Sequence, residues 1–147
     1  MTVDWQLTID CASPERLVPF WATALGYVPA PPPAGFASWR AYYLSIGVPE
    51  SELDGGDCTD RLVDPAVDGP PIWFQVVPEG KSVKNRLHID LTVGGGRSVP
   101  LAERRRRVDA KVATLVEAGA SALRTTSEAD HYAVLMADPE GNEFCVV

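Results

Sequence analysis

The sequence lacks the features that mark membrane proteins, nucleic-acid binders and several motif-defined enzyme classes. Its 147 residues contain no apolar run close to the ~18 residues of a membrane span. Residues 1–4 show neither the basic nor the apolar region of a signal peptide, so we expect none. A net charge of −7 disfavours non-specific binding to nucleic acid. GxSxG, Walker, GxGxxG and CxxC sequences are absent, which leaves serine hydrolase, nucleotide-binding and dithiol functions without support.

Cysteine is also scarce. The three cysteines, at positions 11, 58 and 145, are odd in number and lack the spacing of a metal site. Reduced thiols and a cytoplasmic location are therefore the simplest expectation. The length fits one domain, 1–147, large enough to form a core without disulfides.

The apolar pattern predicts strand, helix and three strands, twice over. Residues 4–11 and 86–93 alternate between polar and apolar side chains, as half-buried strands do. Ser13-Pro14-Glu15 starts a helix that ends at Gly26, and a second helix covers 101–118. The other predicted strands are 27–30, 38–46, 72–77, 122–125, 132–137 and 143–147. The two modules are then 1–78 and 85–147.

Residues 47–71 carry Gly-Gly, several prolines and many acidic side chains, and we expect a long connection there. Connections of this length are usually functional lids or disordered segments. A solvated insertion is the simpler alternative, because acid-rich runs mostly serve solubility.

The halves also share short sequences. Trp73-Phe74-Gln75-Val76-Val77 resembles Glu143-Phe144-Cys145-Val146-Val147, which pairs Gln75 with Cys145. The first strand, 5–9, resembles 87–91, which pairs Gln6 with His88. A duplicated sheet is expected to bring these four side chains together.

A repeated βαβββ unit that ends in Asp138-Pro139-Glu140-Gly141-Asn142 resembles the vicinal oxygen chelate superfamily of glyoxalases, extradiol dioxygenases and bleomycin-resistance proteins. Phe20-Trp21 followed by Leu25-Gly26-Tyr27, and His88 on the fifth strand, add to the likeness. The stretch 81–91 looks like the glyoxalase-like subgroup. The resemblance implies an α+β fold in which two βαβββ modules form an eight-stranded, cupped mixed sheet with helices outside and a ligand inside.

In metal-dependent members of this superfamily, four inward positions hold the ion, and the resemblance carries them onto Gln6, Gln75, His88 and Cys145. Two of the usual carboxylates are then missing, at 75 and 145, so we expect no tightly bound metal. Asp90 could supply a carboxylate, but a spacing of ~6.6 Å along a strand makes a shared ion with His88 difficult. A divalent metal on the four positions stays an alternative.

The polar face of the fifth strand is the best candidate for ligand binding. His88, Asp90 and Thr92 should border a wet cavity, opposite a packed face of Leu87, Ile89, Leu91 and Val93. Trp73 is the best aromatic wall for that cavity. The ligand-binding candidates are Gln6, Trp73, Gln75, His88, Asp90 and Cys145.

The leading hypothesis for function is a glyoxalase-like protein that binds a small organic molecule in the cup without a tightly held metal. One alternative is a metal-dependent lyase, isomerase or dioxygenase, and another is a drug-binding resistance protein. The expected partner is the small-molecule ligand, with neither nucleic acid nor membrane, and a homodimer is left open.

Overall fold

The structure is a computed structural model that describes residues 2–147. The chain divides into two compact units. The first unit runs through Ala22 and continues from Gly26 to Gly80, and the second comprises Thr23–Leu25 and Lys81–Val147. Each unit contains a four-stranded mixed sheet. No helix formed by the described residues is long and apolar enough to cross a membrane.

The first unit places its sheet in the order β1-β4-β3-β2. β1 is parallel to β4, and the other pairs are antiparallel. The elements in chain order are β1 (Leu7–Cys11), α1 (Pro14–Leu25), β2 (Val28–Pro29), α2 (Trp39–Ser45), a 3-10 helix (Glu50–Glu52), β3 (Arg61–Val63) and β4 (Ile72–Val76). The buried side chains include Leu17, Phe20, Leu62, Ile72 and Phe74.

Pro14 and Gly26 begin and end the first helix as the sequence predicts, whereas the Ser13 side chain makes no capping hydrogen bond. Pro14 stands in the first turn of α1, where its missing N–H costs nothing. Gly26 adopts a left-handed φ of 75° and donates its N–H to the carbonyl of Ala22 at 2.8 Å.

The predicted strand at 38–46 is wrong, because these residues form helix α2. The Ser38 hydroxyl caps the helix by accepting the N–H of Ala41 at 3.1 Å. Trp39, Tyr42 and Tyr43 then share one helical face, and both tyrosine rings lie within 6 Å of the Trp39 ring, at 5.9 and 5.8 Å. Aromatic residues are common in strands, but their spacing here has a helical period.

The prediction of one long connection at 47–71 also fails. The segment contains the 3-10 helix and β3, and β3 pairs with both β2 and β4. β3 therefore supplies the strand that the sequence pattern assigned to 38–46. Its three residues are too few for a clear alternating pattern among the surrounding acidic and proline residues.

The second unit orders its strands β5-β8-β7-β6, with β5 parallel to β8. Its elements are β5 (Asp90–Leu91), α3 (Leu101–Glu117), β6 (Ser121–Glu128), β7 (His131–Ala137) and β8 (Glu143–Val146). α3 contacts β6, β7 and β8, and Val108 and Leu115 are its buried side chains. The α+β class and the two βαβββ modules are thereby confirmed, with α2 added to the first.

The turn between β7 and β8 is organised by Asp138, which is 4% exposed. One of its carboxylate oxygens accepts the backbone N–H groups of Glu140 and Asn142, both at 2.9 Å, and the other accepts the Asn142 side-chain amide at 3.0 Å. Gly141 completes the turn with a left-handed φ of 89°. Because these bonds satisfy a buried carboxylate, the Asp-Pro-x-Gly-Asn sequence has a structural role here.

The strand predicted at 86–93 is shorter than expected. β5 contains only Asp90 and Leu91, and Leu87, which was expected to pack in the core, is 87% exposed. Ile89 is half-buried, whereas Leu91 is buried. The predicted strand is too long, because residues 90 and 91 are the part of this segment that pairs with β8, and the predicted alternation fails at Leu87.

Candidate ligand-binding site

Strand register brings Asp90 and Cys145 together in the second unit. β5 and β8 are parallel, and Asp90 is the direct partner of Cys145. Phe144 and Val146, on either side of Cys145, are buried, while Cys145 itself is half-buried. Since neighbouring strand residues face opposite ways, Cys145 lies on the open face of this sheet.

His88 joins this pair from the segment just before β5. Its Nε2 atom lies 3.4 Å from Oδ1 of Asp90. One donor atom from each of His88, Asp90 and Cys145 lies within 4.8 Å of the others. The expectation that strand spacing would keep His88 and Asp90 from sharing an ion is therefore wrong, because His88 precedes the strand and its long side chain reaches the carboxylate.

The three side chains of this cluster differ in their exposure to solvent, which affects their protonation and their access to a ligand. The side chains of His88 and Asp90 are 42% and 55% exposed. Burial, followed by the nearby Asp90 carboxylate, raises the pKa of the Cys145 thiol above its ordinary value. The thiol is thus held protonated at neutral pH, as a polar but weakly nucleophilic group.

Glu143 is a residue of this region that the sequence pattern did not single out. Its Oε2 accepts the backbone N–H of Asn85 at 2.8 Å and forms an ion pair with Lys81 Nζ at 3.2 Å. The Asn85 hydrogen bond, with a smaller effect of Lys81, lowers the pKa of the Glu143 carboxyl. Glu143 therefore ties the segment that leads into His88 to β8. Its position two residues before Cys145, on the same strand face, was the available signal.

In the first unit, Trp73 and Gln75 share one face of β4, whereas Gln6 lies apart from them. Gln75 lies beside Asp10, and Trp73 lies beside Thr8 on the same face. Gln6 precedes β1, and its main-chain neighbour Leu7 pairs with Ile72, so Gln6 is about four residue rows, or ~13 Å, from Gln75. The structure thus does not bring Gln6 and Gln75 together, and a ligand role for either stays a prediction.

The register also corrects the internal repeat. Asp10 lies beside Gln75 in one sheet, just as Asp90 lies beside Cys145 in the other. The residue equivalent to His88 is consequently Thr8 rather than Gln6. The sequences Leu7-Thr8-Ile9-Asp10 and Leu87-His88-Ile89-Asp90, which differ at a single position, carried this signal.

The comparison with known families agrees with this architecture. Residues 6–147 match the glyoxalase-like domain. The chain belongs to this family. It is thereby a member of the vicinal oxygen chelate superfamily, and the expected resemblance is confirmed. A search of curated proteins finds no match.

Solved structures share the fold of this glyoxalase-like protein at low sequence identity. A glyoxalase/bleomycin resistance protein/dioxygenase family enzyme from Burkholderia phytofirmans PsJN is 16% identical, with 98% of this chain and 97% of that chain covered and a TM-score of 0.59. A possible glyoxalase from Bacillus cereus is 13% identical, with coverages of 100% and 99% and a TM-score of 0.59. A mutant fosfomycin resistance protein FosX from Listeria monocytogenes, complexed with Mn(II), is 9% identical, with coverages of 99% and 90% and a TM-score of 0.57. These likenesses show the fold alone.

Proposed function

We propose that this glyoxalase-like protein binds a small organic molecule at the cluster of His88, Asp90 and Cys145, without a tightly held metal ion. The observation that carries the proposal is the convergence of three polar side chains on a sheet face opposite the buried Phe144 and Val146. Such groups suit a ligand with hydrogen-bonding atoms, because imidazole and thiol can each donate or accept and the carboxylate accepts.

The donor set fits a metal ion in number and spacing. Three protein ligands with an open position are common at catalytic zinc sites, and His88, Asp90 and Cys145 would be the ligands here. The thiol must lose its proton to bind metal, and at neutral pH that deprotonation takes up part of the binding free energy. An ion held there would supply Lewis-acid chemistry to a bound oxygen atom.

A metal-dependent lyase, isomerase or dioxygenase is accordingly the second candidate, and the spacing of the three donors within 4.8 Å favours it. The Listeria monocytogenes FosX structure is a complex with Mn(II), so the fold accommodates a metal in another protein. Elemental analysis of the purified, dialysed protein separates the two candidates. About one equivalent of a transition metal per chain would support the second, and a metal-free protein supports the first.

Ligand binding is tested by a thermal-shift screen of small polar organic compounds. The wild type should be stabilised by at least one compound, and His88→Ala should lose that stabilisation. His131→Ala is the matched control, since it removes the other histidine, an exposed residue at the start of β7. Equal stabilisation of wild type and His88→Ala by every active compound would contradict the proposed site.

A further inference from the structure

Arg61, in the first unit, contacts two indole rings. Its guanidinium carbon lies 5.1 Å from the ring centre of Trp39 and 5.1 Å from that of Trp73. Both distances fall within the range of cation–π contacts, which favour a flat guanidinium over an aromatic face. None of the candidate positions drawn from the sequence includes Arg61.

The indole rings are fixed by hydrogen bonds of their own. Trp39 donates its Nε1–H to the carbonyl of Ala30 at 2.9 Å, and Trp73 donates its Nε1–H to Oδ2 of Asp60 at 2.9 Å. Rings that are tethered in this way cannot turn freely, so they restrict the movement of the guanidinium that contacts them. The Arg61 side chain is therefore ordered before any ligand arrives, which lowers the entropic cost of binding.

Inside the protein, Arg61 has Asp60 and the hydroxyl of Tyr43 as polar neighbours, and its ion pair with Asp60 is long. Nε of Arg61 lies 3.4 Å from Oδ1 of Asp60, and these two buried atoms make no hydrogen bond with any residue of 2–147. The other oxygen of Asp60 already accepts the hydroxyl of Tyr43 at 2.7 Å and the indole of Trp73. Asp60 is thus occupied by other donors, and its ion pair with Arg61 is loose.

From these contacts we infer that Arg61 binds the oxyanion group, a carboxylate or phosphonate, of an organic molecule. The two terminal amino groups form the edge that pairs bidentately with such a group. The side chain is 31% exposed, so a ligand can reach it. A guanidinium that only closed an internal ion pair would be expected to make well-formed hydrogen bonds with its carboxylate partner.

The test uses benzoate and phenylphosphonate, with benzamide as the uncharged counterpart, titrated into the full chain. Binding is followed by calorimetry and by tryptophan fluorescence, because Trp39 and Trp73 flank the cation. The wild type should bind at least one of the two anions and bind benzamide more weakly. Arg61→Gln should weaken anion binding about tenfold or more, as expected when a charge-assisted pair is lost.

Two further variants keep the result decisive. Arg61→Lys retains the charge without the planar fork and should bind the anion with intermediate affinity, so it replaces Arg61→Gln if that variant does not fold. Arg97→Gln removes a positive charge at an exposed position of the second unit and should bind as the wild type does. The inference is overturned if neither anion binds better than benzamide, or if Arg61→Gln and Arg97→Gln weaken binding equally.

Discussion

The Nε2 atom of His88 lies 3.4 Å from Oδ1 of Asp90, and both side chains remain substantially exposed, at 42% and 55%. A polar contact this open to water contributes little to folding, ~0–1 kcal/mol by the measurements on exposed pairs. Both side chains also lie close to the Cys145 thiol, so that the three residues form one polar cluster. The pair therefore contributes little to stability, and its role in ligand binding is the proposal that the predictions below test.

Truncation of His88 should leave the fold intact. We expect His88→Ala to lower the free energy of unfolding by less than ~1.5 kcal/mol, because an exposed side chain leaves no cavity. Leu91→Ala, which empties a buried position of the adjacent strand, should cost ~2–5 kcal/mol. Urea denaturation of both variants checks the difference. A larger loss in His88→Ala would make His88 a structural residue.

Tyr43 should be the last tyrosine to ionise. Burial, and then its hydrogen bond to Asp60, raise the pKa of Tyr43 to about 12 from 10.0. A raised pKa means that its stabilising effect is complete below pH 10 and is lost as the pH rises towards 12. Ultraviolet titration of wild type and Tyr43→Phe should differ by one phenol that ionises late. The prediction is wrong if the phenol that is missing from the Tyr43→Phe titration is one that ionises near pH 10.

Glu143 should make the free energy of unfolding depend on pH in the acidic range. The pKa of its carboxyl is lowered from 4.5, chiefly by the hydrogen bond from Asn85. The stabilising effect is therefore present above pH 4.5 and lost as the pH falls through the lower folded-state value. Unfolding of wild type and Glu143→Gln should differ at neutral pH and converge in acid. Glu140→Gln, in the neighbouring turn, is the control. A difference between wild type and Glu143→Gln that is constant with pH would contradict the assignment.

Replacement of the thiol should create a better metal site. Cys145→His places a second imidazole beside His88 and Asp90, and a neutral imidazole needs no deprotonation at neutral pH. We expect zinc affinity, measured by calorimetry, to rise about tenfold or more over the wild type. Adding His88→Ala should remove the gain. Unchanged affinity in a folded Cys145→His variant would show that the three side chains do not converge as described.

The sequence predicted most of the second module and less of the first. β7, β8 and α3 carry clear periods, and the predicted elements there agree with the structure to within a few residues. In the first module, the prediction failed at α2. Trp39, Tyr42 and Tyr43 are residue types with a high strand propensity, and only their spacing in the sequence indicates a helix. β3, with three residues, is too short to show any period.

The candidate site was predicted in part. His88 and Cys145 were named from the internal repeat and the family resemblance, and Asp90 from the strand face that it shares with His88. The proximity of the three side chains follows from the pairing of β5 with β8. The role of Glu143 could not be predicted, because its partner Asn85 lies 58 residues away in the chain and donates a backbone N–H. The repeat alone could not fix the register either, and Gln6 was consequently matched to His88 in place of Thr8.

Ligand binding at His88, Asp90 and Cys145 is tested most directly by a proton–nitrogen NMR titration of the protein with the compound that stabilises it most in the thermal-shift screen. The largest backbone shifts are expected on Asp90, Leu91 and Cys145 and on the segment 85–88, and they should vanish in His88→Ala. Shifts confined to α3, with an unchanged response in His88→Ala, would contradict it.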